Sequence, residues 1–151
     1  MREIATVNFR EYLTLARTLA GGANEAEWRS ASSRAYYAAF HVARLLLLDL
    51  GFHVPQADRA HGYLWLRVSN AGHADTITAG RYLGQLRRWR NWADYDDHRV
   101  IAQSDAIQSV KLAEDIIQAL DAAALDPIRT QIIDAMKIYE RDVLKDVTWH
   151  P

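Results

Sequence analysis

The residues best equipped for chemistry in this chain lie in one run, RRWRNWADYDDH, from Arg87 to His98. Its first half supplies Arg87, Arg88 and Arg90 beside Trp89 and Trp92, and its second half supplies Asp94, Asp96 and Asp97 with Tyr95 and His98. Planar guanidinium groups grip phosphates through paired N–H donors and indole faces stack on unpaired bases, so the first half suits an anion or a nucleic acid. The carboxylates limit that attraction and could offer oxygens to a hard cation, but such clusters at a helix end are more often solvated, and no metal is expected. Read as a helix, the segment puts Tyr82, Leu86, Trp89 and Ala93 on an inward stripe and Arg87, Arg90, Asn91 and Asp94 on the opposite arc. Arg90 and Asp94 then form an i,i+4 pair, ordinarily a surface ion pair contributing a few tenths of a kcal/mol.

A second constellation lies in SASSRAYYAAFHVARLLLL. Ser30, Arg34, Tyr37, His41 and Arg44 recur at helical spacing and share one face. That face is either solvated and half-covered by a neighbouring helix, or the wall of a cleft presenting guanidinium and imidazole to an anion. Small Ala38 and Ala39 would let another helix approach closely. Histidines 41, 53, 61, 73, 98 and 150 include no i,i+3 or i,i+4 pair, so a helical zinc site is not signalled. No Gly-rich phosphate loop and no GxSxG nucleophile elbow is present, and no cofactor is expected.

These residues need helices to position them. Apolar residues recur at helical spacing nearly throughout, without alternating β patterns, so the fold class is all-α. Helices are expected over about 7–20, 25–50, 59–70, from 75 into the opening run, from a Ser104 N-cap to about 122, and from Asp126-Pro127 to about 147. The tail TWHP is expected to fray. An up-and-down bundle of about five to six helices with short loops follows, as a single domain over 1–151.

Composition narrows the function. Of 151 residues, 50% are hydrophobic and 25% charged, the balance of a globular chain able to bury one substantial core. A net charge of -1 removes bulk attraction to nucleic acid, so an anionic partner must meet a local patch. There is no cysteine, hence no disulfide, thiolate nucleophile or thiolate metal site. The start lacks the apolar run of a signal peptide and LLLLDLGF is too short to span a bilayer, so a cytoplasmic protein without membrane contact is expected.

SRAYYAAFHVARLLL, followed later by an Arg-Asn-x-Ala-Asp-Tyr segment, resembles the HEPN superfamily, in particular the branch with an AYYAxxH-type second helix and an RxxADY signature. The resemblance covers about residues 7–120 and omits a C-terminal helix at about 127–147. It implies a helical bundle forming a homodimer, with a shared basic cleft where the signature helices meet. Many such proteins are metal-independent ribonucleases in which an arginine stabilises phosphate charge and a histidine, separated from it by four to six intervening residues, moves protons. Arg90 and Asn91 match the arginine and the polar residue after it. Tyr95, Asp96 and Asp97 fill the histidine window, and His98 comes one residue later.

The resemblance thus nominates Arg90, Asn91 and His98 as the catalytic set, with Arg87, Asp94, Tyr95, Arg34, Tyr37 and His41 as substrate-binding residues. It implies RNA or nucleotide binding, with ribonuclease toxin chemistry open. The alternative is a non-catalytic partner of a minimal nucleotidyltransferase in a toxin-antitoxin-like pair, with Tyr95 as the candidate for adenylylation.

Overall fold

The computed structural model describes residues 7–151 and is built from helices. The six residues before them, read above only for the lack of an apolar leader, lie outside the described residues. The order is α1 (Glu11–Ala20), α2 (Glu25–Leu50), α3 (Arg59–Val68), α4 (Ala74–Tyr95), α5 (Gln103–Ala123) and α6 (Ile128–Tyr139), followed by a π-helical turn at Glu140–Leu144. No described helix is long and apolar enough to cross a membrane.

α2 is the central element and packs on α1, α3, α4 and α5. It starts where the Asn24 side chain accepts a hydrogen bond from the Glu27 N–H at 3.0 Å, while Glu27 reaches back to the Ala23 N–H at 3.2 Å. Ala31, Ala35, Ala38, Ala39 and Ala43 are fully buried along it, so neighbouring backbones approach closely on several sides. It ends at Gly51, whose φ of 105° lies in the left-handed region that a side chain rarely adopts. Leu13 and Ala16 of α1, Leu64 and Val68 of α3, Leu83 and Leu86 of α4, Ile116 and Leu120 of α5, and Ile132 and Met136 of α6 complete a continuous core.

Four local expectations are corrected. α1 begins at Glu11 instead of Val7. α5 begins at Gln103, capped by Asp105, whose carboxylate accepts from the Ala102 N–H at 2.8 Å, so Ser104 lies inside the first turn. α6 stops at Tyr139 and passes into the π turn, because Glu140 points inward to a buried partner, Arg67 of α3. Finally, the tail is held. Its Thr148 carbonyl accepts from His53 N–H at 3.0 Å, His150 N–H donates to the Gly51 carbonyl at 2.8 Å, and the Trp149 indole N–H donates to the Leu50 carbonyl at 2.9 Å. The tail therefore closes over the end of α2 beside buried Phe52.

Candidate functional site

The site forms where the middle of α2 faces the last turns of α4. Arg90 is 8% exposed, in contrast to the solvent arc expected from periodicity. α4 has α2, α3 and α5 around it, so its covered sector is wider than one apolar stripe. The guanidinium donates to the Tyr37 hydroxyl from Nη2 and to Asn91 Oδ1 from Nη1 at 2.6 Å. Its Nε is 3.5 Å from Asp94 Oδ2 but makes no hydrogen bond, and Asp94 Oδ2 instead accepts from Ser33 Oγ at 3.1 Å. The rings of Tyr37, Tyr36 and Tyr95 surround the guanidinium carbon at 5.0, 5.5 and 5.9 Å, where each adds a cation–π attraction.

The last turn of α4 is fixed from α2. Arg29 Nη1 donates to the Trp92 and Ala93 carbonyls at 3.1 and 3.0 Å, and its Nη2 donates to the Arg99 carbonyl. The cation adds to the hydrogen bond that the Trp92 carbonyl already accepts from the Asp96 N–H and complements the negative end of the helix. Arg90, Asn91 and Asp94 are consequently presented from an anchored helix end.

Arg87 lies one turn before Arg90, half-buried, with neither hydrogen bond nor ion pair among the described residues. On the α2 wall, Arg34 sits over the rings of Tyr12 and Tyr37 at 5.5 and 5.8 Å, so Tyr37 links Arg34 to Arg90. His41 continues this wall, stacked on Phe9 with centroids 3.6 Å apart, and its Nδ1 is buried without a partner. Burial first, then Arg44 and His61, lower its pKa to about 4, so it is neutral at pH 7.

Deeper in, the Tyr36 hydroxyl hydrogen-bonds His61 Nδ1. Burial, then Arg87 and Arg90, push the His61 pKa down, while burial raises that of Tyr36 above its ordinary value. Tyr36 therefore stays a phenol and His61 a neutral imidazole at pH 7, so the floor beneath the arginines adds no formal charge.

Of the residues singled out in the sequence, Arg90, Asn91, Asp94, Tyr95, Tyr37 and Arg34 are brought together around the Arg90 guanidinium, with Arg87 and His41 beside them. His98 lies past the end of α4, its side chain 95% exposed and 3.5 Å from Asp97. Tyr95 is 75% exposed. Ser30 is exposed near the start of α2. Sequence reasoning missed Tyr36, Ser33, Arg29 and His61. Tyr36 lies in the core, and nothing in the spacing shows that its hydroxyl meets a histidine from α3. The described residues contain no cluster of three metal-ligating side chains.

The arrangement can hold an anion against two guanidiniums one turn apart, with one carboxylate between α2 and α4 as partial counterweight. No curated protein and no solved structure matches the chain. A family model described as HEPN domain matches residues 10–123, which takes in α2, α4 and the groove residues on them, and the chain belongs to the HEPN domain family.

Proposed function

We propose that the groove between α2 and α4 binds the phosphates of RNA or of a nucleotide, with Arg90 and Arg87 as the phosphate grip and Asn91 and Tyr37 orienting Arg90. The observation that carries this reading is the arginine pair itself: Arg90 is held in place by Tyr37 and Asn91, and Arg87 is left without a hydrogen bond or ion pair among the described residues. A buried, oriented guanidinium loses little side-chain freedom when it binds, which favours it as a phosphate ligand. The family membership supports a second copy of the chain closing the groove into a shared basic cleft.

Binding is better supported than cleavage. The three histidines nearest in structure or sequence are engaged elsewhere: His61 with Tyr36, His41 against Phe9, and His98 beside Asp97. In the ribonuclease form of the reading, His98 would exchange protons with the ribose 2′-hydroxyl and the leaving oxygen while Arg90 stabilises the phosphate. Fluorescence anisotropy with a single-stranded RNA oligonucleotide, and RNA cleavage assayed in EDTA, separate the two forms. Wild type should bind, with affinity falling at least tenfold in Arg90→Ala. Equal binding by wild type and an Arg87→Ala/Arg90→Ala variant removes the groove, and equal cleavage by both proteins, or none by either, removes the ribonuclease form.

The exposure of Tyr95 favours a second reading, in which the chain is the non-catalytic partner of a nucleotidyltransferase. The Tyr95 oxygen would attack the α-phosphate of ATP and pyrophosphate would leave, with Arg90 near enough to the ring to steady the new phosphate. Co-expression with the product of the adjacent gene, followed by mass spectrometry, should find an adenylyl group on Tyr95. An unmodified chain that does not co-purify with that product removes this reading.

A further inference from the structure

Arg90 and Asp94 stand four residues apart on α4, the spacing at which a guanidinium and a carboxylate ordinarily close on each other. Here they stop short. Asp94 Oδ2 lies 3.5 Å from Arg90 Nε, whose buried N–H has no hydrogen-bond partner, whereas a guanidinium N–H donated to a carboxylate brings nitrogen and oxygen to about 2.7–2.9 Å. The same Oδ2 accepts from the Ser33 hydroxyl of α2 at 3.1 Å.

The gap is set by side chains, because both backbones are held. Arg29 fixes the turn that carries Asp94 through the Trp92 and Ala93 carbonyls, and Tyr37 and Asn91 hold the Arg90 head. The Asp94 carboxylate can therefore approach Arg90 only by turning about its own bonds, and with its side chain 27% exposed it has room to do so. Ser33 is 4% exposed, so its hydroxyl has no bulk water to donate to in place of Asp94. One oxygen thus stands between a neutral donor on α2 and a charged donor on α4, and it is bonded to the neutral one.

What the gap preserves is charge. Of the five N–H bonds of a guanidinium, Arg90 gives one to Tyr37 and one to Asn91, which leaves one each on Nη2 and Nη1 besides the idle Nε–H. A carboxylate closed on Nε would neutralise the group and would meet an incoming phosphate as a like charge. We infer that Asp94 is a built-in competitor for the anion at Arg90, and that Ser33 is the positioning residue that holds it off. This rests on the reading of Arg90 as a phosphate ligand. It turns Asp94 from a residue that contacts substrate into one that sets how strongly Arg90 does.

The test measures anisotropy with the single-stranded RNA oligonucleotide in wild type, Ser33→Ala, Asp94→Asn and the double variant, alongside 15N spectra of the arginine Nε–H signals, with that of Arg90 assigned by its loss in Arg90→Lys. In Ser33→Ala the Asp94 carboxylate should close on Arg90, so the Nε–H signal should move downfield and RNA affinity should fall several-fold. Asp94→Asn should bind several-fold more tightly than wild type, and adding Ser33→Ala to it should change neither readout. A thermal melt confirms that each variant is folded. An Nε–H signal that stays in place in Ser33→Ala overturns the inference, as does an affinity loss in Ser33→Ala that persists in the Asp94→Asn background, since Ser33 would then act without Asp94. A downfield shift in Ser33→Ala with no RNA bound by any of the proteins overturns the phosphate reading of Arg90 instead, so the two failures are told apart.

Discussion

His41 shows how one side chain on the groove wall ties the site to stability. Its folded pKa of about 4 lies below the roughly 6.5 of a free imidazole. Above pH 6.5 both folded and unfolded chains hold it neutral and it adds no pH dependence. As pH falls from about 6.5 to 4, the unfolded chain takes up a proton that the folded chain refuses, so stability declines through that window and levels off below it. His41→Phe keeps the ring against Phe9 and removes the unpartnered Nδ1. It should stabilise the protein by about 1 kcal/mol at pH 7, because a buried polar atom without a partner costs roughly 1–3 kcal/mol. The gain should grow toward pH 4.5, measured as urea midpoints at three pH values; a gain independent of pH would show that His41 titrates normally. The sequence made His41 legible as a wall residue, since helical spacing alone aligns it with Arg34 and Tyr37. It could not show that the imidazole stays neutral, because that depends on Phe9 from the chain before α1 and on how deeply the pair is packed. Arg90 carries the same lesson: its neighbours Asn91 and Asp94 were readable along α4, and Tyr37, which comes from α2, decides that it is buried.

Among elements, two glycines separate local propensity from packing. Gly62 of α3 has open space where a Cβ would stand, whereas a Cβ on Gly80 of α4 would press on the backbone of α3, at Ser69 N and at 2.6 Å from the Val68 carbonyl carbon. Gly62→Ala should stabilise by about 0.5–1 kcal/mol through helix propensity alone. Gly80→Ala should destabilise by about 1–3 kcal/mol, because backbone cannot swing aside as a side chain can. Thermal melts of the two variants should therefore move in opposite directions, and a Gly80→Ala protein as stable as wild type would mean that α3 and α4 are not in contact there. The same helix pair was legible only in part. The boundaries of α2 follow from the Asn24 cap and Gly51, and the extents of α3 and α4 from apolar spacing, all of them local signals. The π turn and the held tail follow from Glu140, a charged residue at a position where solvent is the default expectation. Glu140 is fully buried and pairs with Arg67, itself 3% exposed, at 2.6 Å; Glu140 Oε1 also accepts from the Thr148 N–H at 2.9 Å. Glu140→Ala leaves the buried Arg67 guanidinium with only the exposed Asp146 carboxylate, 3.7 Å away, as counter-charge and should cost about 3 kcal/mol. It should also release residues 145–151 to limited proteolysis at a temperature where the folded core survives; a tail that stays protected would show that Trp149 and the backbone pairing to His53 hold it unaided.

For the whole molecule, charge distribution matters more than charge total. With a net charge of -1 there is no overall attraction to a polyanion, so the RNA binding proposed above would have to draw on the few cations of α2 and α4 at the groove: Arg34, Arg44, Arg87 and Arg90. Counterion release from a single strand contributes a slope of about -0.7 in log K against log salt for each phosphate neutralised, so four contacts give about -3. Arg87→Ala should reduce the magnitude by about 0.7 and weaken binding evenly across RNA sequences, as expected for a phosphate contact. If two copies of the chain bring two grooves onto one RNA, the slope should approach about -6 at protein concentrations where light scattering gives twice the chain mass, and return to about -3 where it gives the single-chain mass. Anisotropy titrations at four salt concentrations read all of this. A slope near zero would place the affinity outside the groove and leave the arginines as structural members of the bundle.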